Sequence, residues 1–480
     1  MAYHITVEPG HRHLEAADGD DLLRILRAAG LAPDAPCGGT GRCGKCTVLV
    51  DGVEASACRT IIGRDMTVTL PTAGTAAILT SGIATTAVPG REGYALAFDI
   101  GTTTVAGFLL AGGAELASES RLNPQAVFGA DVISRIRHAI SGELPALTGC
   151  IRSCIEEMIR ALCAKARILP REVSVLSIVG NPAMQQLFLG IAPDNLAVIP
   201  FAPVLNRAEA LPAKDYLTIL ENAQLQIVPD ISGFVGADTV ACVLASGMEE
   251  QEELTLLVDI GTNGEMVLGS RHRLVACSAA AGPALEGANI QCGMRGQNGA
   301  IDHVWLEDGT LRYSVIGGGE AAGICGSGLI DAVAAALNAG LLNSRGRICN
   351  EDRTIHLTDT VFLTQEDIRQ VQLAKGAIAA GIGLMAAHLG IPTEQIDRVY
   401  LAGAFGTYMN PESACRIGLL PPVLAKKITA IGNAAGSGAK ALACRPDALA
   451  HAQQIVTRTE FIELATQPGF SRSFAKNMRF

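Results

Sequence analysis

"ALAFDIGTTTVAGFLL" (residues 95–110) and "TLLVDIGTNGEMVLG" (residues 255–269) carry one phrase twice: an apolar strand, Asp-Ile-Gly-Thr, a turn and a second strand. One Asp-Ile-Gly-Thr alone would say little, because Asp- and Gly-rich turns close many hairpins. Two copies about 160 positions apart, each fed by an apolar strand, predict two related lobes. The chemistry fits a nucleotide clamp. Gly101, Thr102, Thr103 and Thr104 would offer backbone N–H and hydroxyl donors to phosphate oxygens from one lobe. Gly261, Thr262, Asn263 and Gly264 would do so from the other. Asp99 and Asp259, at the strand ends, suit a Mg²⁺ ion met through its waters, since magnesium keeps much of its hydration shell. The chain has no G-x-x-x-x-G-K-[ST] and no convincing G-x-G-x-x-G after a first strand.

Later segments extend the pattern. "GICGSGLIDAVAAAL" (323–337) opens a helix at a Gly-Ser-Gly turn, so Gly326 and Ser327 form a natural anion site. "DRVYLAGAFG" (397–406) is a strand running into a glycine turn, and "ITAIGNAAGSGAKAL" (428–442) is a strand, Asn433 and a helix opened by small residues. "VSVLSIVGNPAMQQLFLG" (173–190) reads as strand then helix. The paired arrangement resembles the superfamily of acetate and sugar kinases, heat-shock chaperones and actin (ASKHA). That resemblance implies a duplicated RNase H-like ATPase of two lobes. It makes 397–406 the adenosine motif, with Gly403, Ala404, Phe405 and Gly406 beside the base, and 173–190 and 428–442 the connecting motifs. The alternative for these glycines is close helix packing alone.

A second signal lies upstream. "APCGGTGRCGKCTVLVDG" (35–52) packs three thiols among five glycines, and Cys58 follows a strand, so that Cys37, Cys43, Cys46 and Cys58 are spaced C-x5-C-x2-C-x11-C. Structural zinc usually joins two short C-x2-C knuckles far apart in sequence. Three ligands on one glycine-rich loop suit a [2Fe–2S] cluster better, because its sulfides need inward-pointing N–H groups and glycine permits that approach. Zinc is the alternative. "HITVEP" and "RHLEAADG" read as strands and "DDLLRILRAAG" as an amphipathic helix. Strand, strand, helix, cluster loop, strand resembles the β-grasp of [2Fe–2S] ferredoxins, nearest in fourth-ligand spacing to those of molybdenum hydroxylases. His4, His11 and His13 read as surface residues.

The whole chain bounds the rest. Its 480 residues are 49% apolar, enough for several cores, and the mean hydropathy is +0.31. A net charge of −10 with no basic block argues against a nucleic-acid partner. The polar opening "MAYHITVEPGHRH" carries no export signal, and "GAIAAGIGLMAAHLG" (376–390) is too short and Gly/Ala-rich to span a bilayer and reads as a buried helix, so no membrane is expected. Fourteen cysteines then point to a reducing cytoplasm, most of the remaining ten being small buried hydrophobes. The expected architecture is an α+β and α/β multidomain chain. It has a ferredoxin-like domain at 1–70, a linker at 71–93, a first ATPase lobe at 94–250 and a second at 251–480. The linker, Ala-, Gly-, Thr- and Ser-rich, reads as a flexible tether with a reach of roughly 25 Å; a fixed strap along the next domain is the alternative.

Ferredoxin plus ASKHA ATPase resembles the reductive activators of corrinoid-dependent enzymes over nearly the whole chain. "NPQAVFGADVISRI" (123–136), "ISGFVGADTVA" (231–241) and "CSAAAGPALEGANIQCGMRG" (277–296) add to the likeness. Many members carry a further domain between ferredoxin and ATPase; this chain has only the short linker. The resemblance implies an enzyme that returns inactive Co(II) corrinoid to Co(I), using an electron from a low-potential donor held on its [2Fe–2S] cluster, with ATP and Mg²⁺. Its partner would be a corrinoid protein or corrinoid-dependent methyltransferase; a homodimer stays open. The roles follow: Cys37, Cys43, Cys46 and Cys58 hold iron, and Asp99 and Asp259 lie near the metal. Glu265 and Asp238 orient the attacking water, with turn capping as the alternative. Asp131 is similar and weaker. Two enzymatic alternatives are an activator of 2-hydroxyacyl-CoA dehydratases or benzoyl-CoA reductases, for which Cys325 would be a ligand, and a small-molecule kinase with a redox-sensing ferredoxin. A non-enzymatic switch module is a third.

Overall fold

The computed structural model describes residues 2–31, 33, 35, 39, 41, 46–70, 82–83 and 92–480. At the N-terminus, β1 (Ala2–Glu8), β2 (Arg12–Ala17), β3 (Thr47–Val50), β4 (Val53–Ser56) and β5 (Met66–Thr69) form one sheet in the order β2-β1-β5-β3-β4. β1 and β5 run parallel and the other pairs are antiparallel. Helix α1 (Leu22–Ala28) is opened by the Asp21 carboxylate accepting from the Arg24 N–H. Its Leu22, Leu23 and Leu26 bury against Ile5, Val48 and Val68. This is the β-grasp that the strand order led us to expect.

The repeated phrase builds two sheets of one plan. In the first lobe, β6 (Tyr94–Ile100), β7 (Thr104–Ala111) and β8 (Ala114–Leu122) form an antiparallel meander. β9 (Val173–Gly180) lies parallel to β6 on its other side, followed by β11 (Gln224–Ile227) and an edge strand β10 (Glu209–Pro212). In the second, β12 (Thr255–Ile260), β13 (Gly264–Gly269) and β14 (Leu274–Ala279) repeat the meander. Two small sheets follow, β15 (Ala300–Glu307) with β16 (Thr310–Val315) and β17 (Gly323–Ile324), then β18 (Thr354–His356) with β19 (Phe362–Thr364). β20 (Arg398–Ala402) and β21 (Ile428–Gly432) complete the parallel side, and β22 (Thr459–Phe461) sits on the far edge beside β14. Both sheets therefore run meander, first strand, two parallel strands.

Helices cover both faces. On the outer side of the first sheet lie α2 (Val132–His138), α3 (Leu144–Ala166) and α4 (Pro182–Leu189), burying Ile151, Ile155 and Leu187 against Phe98, Leu109 and Leu176. α4 starts where Asn181 accepts from the Met184 N–H, with Pro182 in the first turn. The first lobe ends in α5 (Ala237–Ser246). In the second lobe, α6 (Gly326–Asn338), α7 (Gln365–His388), α8 (Gly403–Tyr408), α9 (Pro411–Arg416), α10 (Ala434–Cys444), α11 (Ala448–Arg458) and α12 (Phe470–Asn477) follow in turn. α7 is long and apolar enough to cross a membrane, yet 67% of its most apolar window is buried inside the lobe. It is the core helix expected at 376–390, capped by Thr364 and Asp367 in a reciprocal box.

The lobes share a core. Val240 and Val243 of α5 and Leu442 of α10 pack with Ala97 and Phe108 from the first sheet and Leu257 and Val267 from the second. Burying each such Val, Leu or Phe side chain contributes about 1.5–3 kcal/mol. α10, although later in the chain, lies against β6 and β9 of the first lobe, and Ser177 Oγ donates to the Ala439 carbonyl at 2.6 Å. Most of the linker falls outside the described residues. Gly82 pairs with Gly432, Ile83 packs on the shared core, and its carbonyl accepts from Ser437 Oγ at 3.1 Å.

The seam tolerates no added side chain at its closest point. A Cβ on Gly438 would meet the Ala241 carbonyl oxygen at 2.1 Å. Gly438→Ala should force α10 off α5 and lower stability by about 1–3 kcal/mol, read as a fall in the denaturant midpoint of the two-lobed part.

Candidate nucleotide and cluster sites

The paired strand ends face one another across a cleft of about 340 Å³. Asp99, Gly101, Thr102, Thr103 and Thr104 line it from the first lobe, joined by Asn181 and Asp238. Asp259, Gly261, Thr262, Asn263 and Glu265 line it from the second, with Gly326, Ser327, Gly403, Ala404 and Phe405 further along. Two expected residues stand back from this wall. Gly264 faces the Ile378 side chain and Gly406 backs onto Leu401. Gly403 sits at φ +78°, and a Cβ there would press on Asp259 Oδ1 at 2.7 Å, so the turn needs glycine to reach the carboxylate.

The first phosphate loop is held from beneath. Arg135, fully buried in α2, donates to the Thr102 carbonyl at 2.6 Å and the Gly129 carbonyl at 3.0 Å. Burial lowers its guanidinium to about 10. Asn123 donates to the Gly101 carbonyl at 2.8 Å, and Asn181 Nδ2 to Thr102 Oγ1 at 3.1 Å. Asp131 caps α2 through the Ser134 N–H and hydroxyl, which gives it the turn-capping role. Asn123 and Arg135 fall within the segment 123–136 and Asn181 within 173–190, both singled out in the sequence, but no local pattern assigned any of the three to the loop.

One side chain spans the cleft. Glu286 accepts from Thr103 Oγ1 on one oxygen and from Thr262 Oγ1 on the other, each at 2.7 Å. These are hydroxyls of the two loops assigned to phosphate, one from each lobe. The carboxylate thus takes the donors a nucleotide phosphate would claim.

Four carboxyls crowd the same wall. Burial raises Asp99 to about 7, with Asp238 and Asp259 adding like-charge repulsion and an Asn433 hydrogen bond opposing. Asp259 rises to about 7 through burial, then Asp238 and Glu286. Asp238 rises to about 6 through burial, against hydrogen bonds from Thr239. Glu265, paired across the strand with Asp259, is pushed well above its ordinary value by burial and these neighbours. Oxygen donors carrying too little positive charge among them suit a hard divalent cation such as Mg²⁺. Asn433 also caps α10 by accepting from the Gly436 N–H at 2.6 Å, and a Cβ on Gly82 would lie 2.3 Å from its carbonyl oxygen. The linker therefore passes beside a side chain bonded to Asp99.

In the N-terminal domain, Cys46 is wholly buried at the start of β3 and Cys58 half-buried in the 3-10 turn Ala57–Arg59. The Ala57 N–H donates to the Cys46 carbonyl at 2.9 Å, which draws these two stretches together. Cys37 and Cys43 lie outside the described residues.

Comparison with known proteins agrees with this division of chemistry. Residues 5–66 match the family of 2Fe-2S iron-sulfur cluster binding domains, residues 94–251 the RACo middle region, and residues 253–480 the C-terminal, ASKHA domain of RACo. The chain is 36% identical over 418 residues to the corrinoid activation enzyme RamQ of Eubacterium limosum, covering 81% of this chain and 70% of that one. It is 30% identical over 354 residues to the [Co(II) methylated amine-specific corrinoid protein] reductase of Methanosarcina barkeri, covering 67% and 65%. A solved reductive activator for corrinoid,iron-sulfur protein superposes with a TM-score of 0.73 at 27% identity, over 100% of this chain and 98% of that one.

Two outcomes follow from the cleft. Asp99 and Asp259 contribute stability below their unfolded value near 3.8 that is lost as pH rises through about 7. Metal- and nucleotide-free protein should therefore melt lower at pH 8 than at pH 5.5, and Mg²⁺ should raise the calorimetric midpoint more at pH 8; a Mg²⁺ shift independent of pH contradicts this. Because the Glu286 carboxylate competes for phosphate donors, Glu286→Gln should bind ADP about tenfold more tightly in titration calorimetry, equivalent to about 1.4 kcal/mol.

Proposed function

The chain belongs to the RACo family of reductive activators of corrinoid proteins, and we propose that it is an ATP-dependent reductase that returns the Co(II) corrinoid of a partner protein to Co(I). The observation that carries this reading is the bridge of Glu286 between Thr103 and Thr262, because it makes nucleotide occupancy and lobe position one equilibrium. A phosphate group entering the cleft must take those hydroxyls from the carboxylate. Gly101–Thr104 and Gly261–Asn263 cradle the phosphates, Ser327 and Gly326 stand at the α6 N-terminus beside them, and Gly403–Phe405 flank the base. Asp99 and Asp259 would hold Mg²⁺, which would supply charge stabilisation for the phosphates, and Glu265 or Asp238 would orient the attacking water.

Cys37, Cys43, Cys46 and Cys58 hold a [2Fe–2S] cluster, which supplies one-electron transfer. A plant-type cluster lies near roughly −400 mV, and the Co(II)/Co(I) couple is expected to lie lower. A gap of about 200 mV costs about 5 kcal/mol at roughly 59 mV per tenfold step. Nucleotide can offset it only by binding two lobe arrangements with different affinity. The change in grip on the corrinoid protein that accompanies lobe closure supplies that difference. The electron comes from a low-potential cellular donor. A reducing cytoplasm suits cysteines that form no disulfide among the described residues.

The alternative of a cluster ligated inside the ATPase is disfavoured by Cys325, which is buried in the cleft wall with its Sγ 3.3 Å from Ser327 Oγ. The deciding experiment mixes cluster-loaded protein, Co(II) corrinoid protein and a low-potential reductant, with visible spectra of iron and cobalt. Mg-ATP should increase both the rate and the extent of Co(I) formation; equal progress without nucleotide sinks the coupling. Cys46→Ser should abolish the two-iron absorption and the reduction while leaving ATP binding intact.

A further inference from the structure

Away from the cleft, the chain crosses from α5 to β12 through the turn Met248–Glu250. There Glu249 is 1% exposed, and neither carboxylate oxygen accepts a hydrogen bond. A buried, unsatisfied carboxylate is costly and calls for a partner. Facing it from α11 is His451, whose Nε2 stands 3.4 Å from Glu249 Oε1 and 3.7 Å from Glu250 Oε1. One ligand atom from each of the three residues lies within 4.8 Å of the others.

We propose that Glu249, Glu250 and His451 form a binding site for a divalent cation of the zinc class, which ties the crossover between the lobes to α11. The geometry supplies the reason. With metal–ligand bonds of about 2.1 Å, ligands on a tetrahedron sit about 3.4 Å apart. The histidine-to-carboxylate separations match that spacing, and Glu250, with 70% of its side chain exposed, is free to close the third edge. One imidazole nitrogen and two carboxylates leave a fourth position for water, a donor set that suits zinc better than magnesium. Two arginines face the same carboxylates, and each is engaged elsewhere. Arg445 pairs with Asp447 at 3.0 Å, and Arg458 donates to the Arg271 carbonyl.

The site differs from the nucleotide cleft in place and in donors. It joins the last turn of the first lobe to a helix that packs on α5 and leads into the edge strand β22. A cation there braces the hinge side of the molecule.

The test is equilibrium dialysis of cluster-loaded full-length protein against Zn²⁺ with Mg-ADP present, the iron absorption confirming an intact cluster. Wild-type protein should bind one saturable equivalent more than Glu249→Gln or His451→Gln. Glu250→Gln, at an exposed position where folding is not at risk, should weaken that equivalent more than about tenfold. Zn²⁺ should also raise the melting temperature of the wild type and not of His451→Gln. The proposal is overturned if Glu250→Gln and His451→Gln bind Zn²⁺ with the stoichiometry and affinity of the wild type.

Discussion

Two sheets fused along one apolar seam have a single way to move. α5 and α10 interlock between the sheets, close enough that the Ala241 carbonyl leaves no room for a side chain at position 438. Any relative motion of the lobes would turn about that seam, and the open side is the cleft where the two Asp-Ile-Gly-Thr turns meet. Every polar contact across the cleft is an energy that depends on hinge angle. Packed cores do not deform continuously, so such a device favours discrete arrangements.

Within the cleft, attraction and repulsion are set against each other. Glu286 draws the two threonine hydroxyls together, whereas Asp99, Asp238, Asp259 and Glu265 repel one another in a site poor in water. In the proposed function, Mg-nucleotide would reverse both terms at once: the cation would neutralise the carboxyls and the phosphates would take the hydroxyls. This is differential binding to two states, the one way a ligand can drive an uphill electron transfer. The linker contact at Gly82 and Ile83 sits beside Asn433, whose side chain bonds Asp99 and caps α10.

The hinge side has its own electrostatics. A carboxylate buried at the crossover without a hydrogen bond is as conspicuous as the crowd in the cleft, and a histidine from a separate helix stands opposite it. One end of the seam concentrates negative charge for nucleotide and magnesium. The other holds a smaller nitrogen- and oxygen-lined cluster suited to a softer cation.

Local sequence determined what depends on near neighbours. The spacing of Cys37, Cys43, Cys46 and Cys58 and the glycines among them announced a cluster loop. The twin Asp-Ile-Gly-Thr phrases announced duplicated lobes and the two loops that face each other across the cleft. Periodicity placed α1, a Gly-Ser-Gly turn marked the start of α6, and small-residue and apolar runs marked α10 and part of α7, because such patterns are properties of a short window. Tertiary structure alone decided which distant groups meet. Glu286 reaches Thr103 from 183 positions away, Arg135 of α2 supports the Thr102 loop, and Glu249 and His451 are joined only by the packing of α11 on α5. No local pattern encodes such pairs, since long-range contact follows from how sheets and helices pack. Whether a carboxylate is buried, paired or left wanting a cation is likewise settled by the finished fold.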